Sequence, residues 1–290
     1  MYPASFEYHR AGTVDEAVAL LRQHGEDAKL LAGGHSLLPV MRLRFAQPKH
    51  LIDIRKIPTL AGIRETDGAL VIGATTTHRQ LEASELLRRR HAAIADAASQ
   101  IGDMQVRNMG TIGGSLAHAD PAADLPAVML ALDAEITALG PRGERRIMAS
   151  DFFQGLMTTA LAADEVLTSV RIPDATGRAA SAYVKQVHAA SRYAVVGVAV
   201  ALGLDGGDTV RSARVAVTGL GFVAARARAV EQALAGRALD DATLNAAAAR
   251  VVDGIEIRED ATGNAAYKRH VAVIRAREAI ERAWERARAG

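Results

Sequence analysis

The 290-residue chain sets 35 Lys and Arg against 33 Asp and Glu, a formal charge of +2, with 49% apolar and 23% charged residues. This is the composition of an ordinary folded protein of one or two domains, and it excludes disordered, collagen-like and low-complexity classes. The balanced charge argues against a nucleic-acid partner, and the absence of cysteine excludes disulfides, thiolate zinc sites and iron–sulfur ligation by this chain.

No stretch reaches the roughly 18 uninterrupted apolar residues of a membrane span, and the opening MYPASFEYHRAG lacks the basic flank and apolar run of an export signal. A soluble cytoplasmic protein is expected. Residues 5–10 form a short strand pattern. Thr13 and Glu16 have the spacing of a capping box ahead of Val14, Ala17, Val18 and Leu21, which predicts a helix over 14–24. Lys29–Ala32 is a short apolar run, Gly33-Gly34-His35-Ser36 is a turn, and helical spacing resumes from Leu37 to Leu43. With Leu51–Ile54 as a further strand, the first 55 residues read as a β-α-β-α-β unit with a parallel sheet.

Strands are expected at 60–63 and 69–73, a short helix opening at Thr77, and an Ala-rich helix over 91–101. Residues 102–120 hold four glycines without a sustained period and read as a long functional loop, after which Pro121 opens a helix running to about Leu132. Strand patterns follow near 134–139, 145–149 and 165–172. The cluster PDATGR, from Pro173 to Arg178, is the expected linker, giving an N-terminal domain over 1–173, with subdomains 1–55 and 56–173, and a second domain over 178–290. In that second domain three strands, 182–187, 194–204 and 210–219, precede helices near 224–235, 240–252 and 265–288, with Asp205-Gly-Gly-Asp208 as a hairpin turn.

Two glycine motifs carry the chemistry. Ala32-Gly33-Gly34-His35-Ser36 lies between strand and helix, where glycines allow backbone N–H groups to converge on a phosphate. Gly110-Thr111-Ile112-Gly113-Gly114-Ser115 repeats the pattern, and two such loops can hold the two phosphates of a dinucleotide. A third cluster, His118, Asp120 and Asp124, reads either as a helix cap, as ligands to a metal with His35, or, at Asp124, as a partner for a sugar hydroxyl. Gly219-Leu-Gly221-Phe-Val-Ala224 matches a dinucleotide fingerprint, but it follows a hairpin and no second parallel strand succeeds it, so it is set aside.

With AGGHS at 32–36 and TIGGS followed by LAHADPAAD at 111–124, the sequence resembles the FAD-binding medium subunit of molybdenum hydroxylases, the carbon monoxide dehydrogenase and xanthine dehydrogenase group. The likeness runs the length of the chain through PASFEYHR, LIDIRKIPTLAGI, VIGATTTH, VRNMGTIGGS and LTSVRIP. It implies an α+β fold: a two-subdomain FAD-binding domain of the vanillyl-alcohol-oxidase-like type, then a three-stranded antiparallel sheet with a helical bundle. It implies that Ala32, Gly33, Gly34, His35, Ser36 and Leu37, with Thr111, Ile112, Gly113, Gly114 and Ser115, bind the FAD pyrophosphate. By the same resemblance Asp124 holds a sugar hydroxyl, Ile101 and Leu167 line the flavin or adenine, and Lys185 and Tyr193 lie near the flavin. FAD is expected to be noncovalent, with no catalytic acid or base in this chain.

The implied partners are a small subunit with [2Fe-2S] clusters and a large subunit with the molybdenum cofactor, two copies of each, and an external electron acceptor. Two departures stand out. Ser115 replaces a frequent Asn, and an Arg-x-x-x-Asp pattern reads His188-Ala-Ala-Ser-Arg192, leaving the acceptor open between quinone, NAD and oxygen. The alternatives are a metal-dependent hydrolase using His35, His118, Asp120 and Asp124, or a scaffold subunit without flavin.

Overall fold

The computed structural model describes residues 2–289. Its first unit contains β1 (Glu7–Arg10), α1 (Val14–His24), β2 (Ala28–Leu31), α2 (Leu37–Arg42) and β3 (His50–Asp53). The strands pair in the order β1-β3-β2, all parallel. Thr13 caps α1 by accepting from the Glu16 N–H, while the Glu16 carboxylate accepts from Gly12 one residue earlier than in an ideal capping box. The helix then lays Ala17, Val18 and Leu21 over Ile52 and Ile54, and each larger side chain buried this way contributes about 1.5–3 kcal/mol.

The second unit opens with a correction. The apolar run expected as a strand at 60–63 is partly a 3-10 turn, Pro58–Leu60, because Pro58 sets a turn geometry, and strand pairing begins only at Ile63. There follow β4 (Ile63–Thr66), β5 (Ala69–Gly73), α3 (His78–Ala83), α4 (Glu85–Arg90) and α5 (Ala92–Gln100). The expected loop over 102–120 is instead two short helices, α6 (Met104–Met109) and α7 (Ile112–His118). Each has a side-chain cap: Asp103 accepts from the Val106 N–H and Thr111 from the Gly114 N–H.

The next helix, α8 (Asp124–Ala131), starts three residues after Pro121. Asp120 does not cap it. Its carboxylate accepts from the Ala122 N–H in a tight turn, and Pro126 takes the first-turn position that tolerates a missing donor. The unit closes with β6 (Glu135–Gly140), β7 (Gly143–Met148), α9 (Ala149–Phe152), β8 (Phe153–Gly155), β9 (Thr158–Thr159) and β10 (Val166–Pro173). Its main sheet is antiparallel, in the order β4-β5-β10-β6-β7.

The third unit comprises β11 (Ala179–Val187), β12 (Ala194–Leu204), β13 (Val210–Thr218), β14 (Ala225–Arg226), α10 (Arg228–Leu234), α11 (Asp241–Ala248) and α12 (Ala265–Ala289). The three expected strands form a meander with the two-residue β14 at its edge. β14 separates Gly219 from α10, so the set-aside fingerprint is not a strand-to-helix turn.

β12, AVVGVAVALGL, is apolar throughout because both faces of its sheet are covered. Val196, Val198 and Val200 point into the helical bundle with Ala276 and Ile280 of α12. The alternate positions on the other face are small, Gly197, Ala199 and Ala201, and there α5 and α8 of the second unit pack close to the sheet. One hydrophobic core therefore runs from β5 through α8 to Tyr183, Ala199 and Ala216.

Candidate functional site

A cleft of about 770 Å³ opens where the three units meet, within the range of about 300–1,000 Å³ common to small-molecule and cofactor sites. The turn after β2 forms one wall, at the carboxyl ends of the parallel strands. Gly33 is required by a close approach: a Cβ there would fall within 3.0 Å of the Met109 carbonyl oxygen and of Gly110. Gly34 takes φ +74°, a left-handed conformation suited to glycine. The N–H groups of Gly33, Gly34, His35 and Ser36 find no protein acceptor among the described residues. Four consecutive unpaired donors on a glycine turn form a concave anion cradle.

The second glycine motif differs. Its last four N–H groups are already engaged: Ile112 donates to the Thr76 carbonyl, Gly113 to Ala74, Gly114 to the Thr111 hydroxyl and Ser115 to the Thr111 carbonyl. The expectation of a second open nest is corrected, because α7 and its junction with the end of β5 use those donors. Gly113 provides the close fit, since a Cβ there would lie 2.6 Å from the Ala74 Cβ. Gly114 is exposed on the cleft side, and with Thr111, Ser115 and His118 it supplies a low, hydroxyl-bearing surface opposite the first turn.

Of the residues singled out in the sequence, Ala32, Gly33, Gly34, His35, Ser36, Leu37, Ile101, Thr111, Gly113, Gly114, Ser115, Asp124, Leu167 and Tyr193 line the cleft. Ile112 and Lys185 do not. Ile112 is fully buried in the core. Lys185, only 6% exposed, acts through Asp124: its ammonium lies 2.9 Å from Asp124 Oδ1 and donates to Oδ2 and to the Arg192 carbonyl. Arg192 has φ +61° and closes the turn between β11 and β12. Tyr183 completes the arrangement by donating its hydroxyl to Asp124 Oδ1 at 2.6 Å.

This buried triad has a backbone logic. Tyr183 and Lys185 are two apart on β11 and share a face. Gly197, opposite Lys185 on β12, leaves room for the phenol, since a Cβ there would fall within 3.0 Å of its oxygen. Burial pushes the Asp124 carboxyl up and the Lys185 ammonium down, and their mutual contact opposes both shifts. Burial, reinforced by the Asp124 charge, raises the Tyr183 phenol well above its ordinary range and keeps it a donor.

Sequence reasoning missed Tyr183, Gly197 and His78. The period-2 rule applied to Lys185 points to Tyr183, but the glycine opposite shows its meaning only once β11 and β12 are in register. His78, beside Gly110, lines the cleft, and its Nδ1 is buried without a partner. Burial, with the charges of His35 and Arg107, lowers its pKa to about 4, so it is neutral at pH 7. Tyr193 is half-exposed over the cleft, its pKa raised by burial and by Asp120 and Asp124.

The metal-ligand alternative does not assemble. His35 is held by its contact with the Gly33 carbonyl, Asp120 by Ala122, and Asp124 by Tyr183 and Lys185. The cleft instead fits an extended, partly anionic ligand: its lining offers free N–H groups and hydroxyls, the Asp124 carboxylate, and Ile101, Val106, Leu161 and Leu167 as apolar surface for flat rings.

Residues 4–175 match the family model described as FAD binding domain in molybdopterin dehydrogenase, and residues 181–283 match the CO dehydrogenase flavoprotein C-terminal domain. The chain is similar to the carbon monoxide dehydrogenase medium chain of Hydrogenophaga pseudoflava, at 43% identity over 99% of both chains. It is 41% identical to the medium chain from Afipia carboxidovorans, over 99% of this chain and 100% of that one. Among solved structures, that of the Hydrogenophaga pseudoflava carbon monoxide dehydrogenase superposes with a TM-score of 0.94 at 45% identity, covering 99% of each chain. Quinoline 2-oxidoreductase from Pseudomonas putida 86 superposes at 0.92 with 30% identity, again over 99% of each chain.

Proposed function

Because this chain belongs to the FAD-binding medium-subunit family of molybdenum hydroxylases, we propose that it carries a noncovalent FAD that relays electrons from a partner's iron–sulfur clusters to an external acceptor. The observation that supports this reading most strongly is the row of unpaired N–H groups from Gly33 to Ser36, facing the Thr111 to Ser115 surface across the cleft. When bound, FAD supplies the two-electron to one-electron chemistry, and the chain supplies binding, orientation and a local field.

In this account the Gly33–Ser36 turn donates to pyrophosphate oxygens, while Ser115 and Thr111 add hydroxyls from the facing helix. Asp124 accepts from a sugar hydroxyl with the lone pairs that Tyr183 and Lys185 leave free, and those two partners fix its direction. Leu167 and Ile101 cover the rings, and Tyr193 and Arg192 stand at the rim where an acceptor approaches. Arg192 makes that rim cationic and favours an anionic acceptor on electrostatic grounds.

Membership of a medium-subunit family supports a small iron–sulfur subunit and a large molybdenum subunit as partners, in a heterohexamer of two copies each. The missing cysteines require another chain to hold the clusters. Purification of the tagged chain from its native cells, with flavin, iron and molybdenum measured across the eluting peak, tests this. Co-elution of all three with two further subunits is expected. A chain that elutes alone, or with flavin and neither metal, overturns the partner assignment.

A further inference from the structure

Three histidines of the first unit, none of them lining the cleft, converge on one face of its sheet. Glu7 and His9 on β1 point to the same face as His50 and Ile52 on β3, because the two strands are parallel with Glu7 paired to His50 and His9 to Ile52. α1 covers that face with Ala17, Val18 and Leu21, and its last residue, His24, arrives over the imidazoles. The His24 ring stacks on His50 with 3.6 Å between centroids and lies 5.1 Å from His9. His9 Nε2 and His50 Nδ1 are 3.1 Å apart. One nitrogen from each of the three rings falls within a 4.8 Å cluster. Among the described residues no other group of three His, Asp or Glu side chains is so arranged.

We propose that His9, His24 and His50 form a binding site for a divalent transition-metal ion of the zinc class, with the Glu7 carboxylate as a fourth ligand. Three observations carry this. The rings come from three different elements, so sequence proximity does not explain their meeting. His24 Nε2 is buried without any hydrogen-bond partner, an uncompensated polar atom that a metal bond satisfies. Glu7 Oε2 already lies 3.5 Å from His50 Nδ1 and 3.9 Å from His9 Nε2, on the open side of the cluster.

Imidazole nitrogens with one carboxylate suit Zn²⁺, Co²⁺, Ni²⁺ or Cu²⁺ rather than Mg²⁺ or Ca²⁺. With metal–nitrogen bonds of about 2.0–2.1 Å, tetrahedral ligands stand about 3.4 Å apart, so side-chain rotations of roughly an ångström close the site. The hydrogen shared between His9 Nε2 and His50 Nδ1 moves to the opposite nitrogen of its ring, leaving both lone pairs for the ion. None of the three histidines lines the cleft, and His24 and His50 sit at the last residue of α1 and the first of β3, while the cofactor turn follows the carboxyl end of β2. The ion thus ties the end of α1 to the sheet and takes no part in electron transfer.

The tag-free, FAD-loaded chain, stripped with chelator, is titrated with Co²⁺ and, separately, Zn²⁺. The expected result is one ion per chain, the intense visible bands of tetrahedral Co²⁺, their loss on adding Zn²⁺, and a Tm that rises with Zn²⁺ concentration. His24→Gln and His50→Gln should each weaken binding at least tenfold with flavin content unchanged, and His270→Gln should bind as the unchanged chain does. Only the weak spectrum of hexaaqua Co²⁺ with the unsubstituted chain overturns the site without recourse to any variant. Affinity unaffected by His24→Gln and His50→Gln overturns it equally.

Discussion

The Asp124 triad shows how a single carboxylate is held ready in a nearly dry place. Removing one partner of such a pair leaves an uncompensated charge, so Lys185→Met should destabilise the chain by about 3–5 kcal/mol in urea unfolding. Lys185→Met combined with Asp124→Asn should recover much of that loss, since both charges are then gone; an uncorrected double variant would contradict the pairing. His78 gives a pH effect of known sign. Its pKa is lowered from 6.5 to about 4 in the folded chain, so the unfolded chain binds the proton first, and stability present above pH 6.5 is lost as pH falls toward 4. His91, also held near 4 chiefly by burial, adds to it. Urea unfolding between pH 7 and 4.5 should show His78→Gln losing about 2–3 kcal/mol less than the unsubstituted chain over that window.

Helices and strands differ in how much of their role the sequence discloses. α1, β2 and β3 are legible because Thr13, the 3.6-residue spacing and short apolar runs each act within a few residues. α6 and α7 are not, because four glycines over 102–120 mask two one-residue caps, Asp103 and Thr111, and because the first-turn donors of α7 find acceptors on residues 74 and 76, far back in the chain. The TIGGS motif is therefore recognisable as part of the cleft but not as a helix opening whose donors are spent. The C-terminal helix α12 shows the same division between local and distant contacts. Arg286 makes a two-pronged contact with Asp96 of α5 and donates to the Ser181 carbonyl, while Arg282 pairs only with Glu278 one turn earlier. Arg286→Ala should cost about 1–3 kcal/mol and Arg282→Ala less than about 0.5 kcal/mol. Equal losses in denaturant midpoint would remove α12 from any role in joining the units.

At the scale of the whole molecule, three units share the cleft, and two of them share one core through the small face of β12. The alternation of Val with Gly and Ala along β12 is visible in the sequence, but its purpose depends on α8 arriving from 70 residues upstream, which periodicity alone does not disclose. That arrangement lets Tyr183 and Lys185 of the third unit hold Asp124 of the second, which lines a cleft built mainly by the first two units. The most direct test of this account is the visible spectrum of the purified chain, taken before acid precipitation and again on the supernatant. Oxidised flavin bands near roughly 370 and 450 nm that pass into the supernatant are the predicted result. A chain that is colourless and takes up no added FAD, or one whose flavin stays with the precipitate, would contradict the noncovalent FAD site described above.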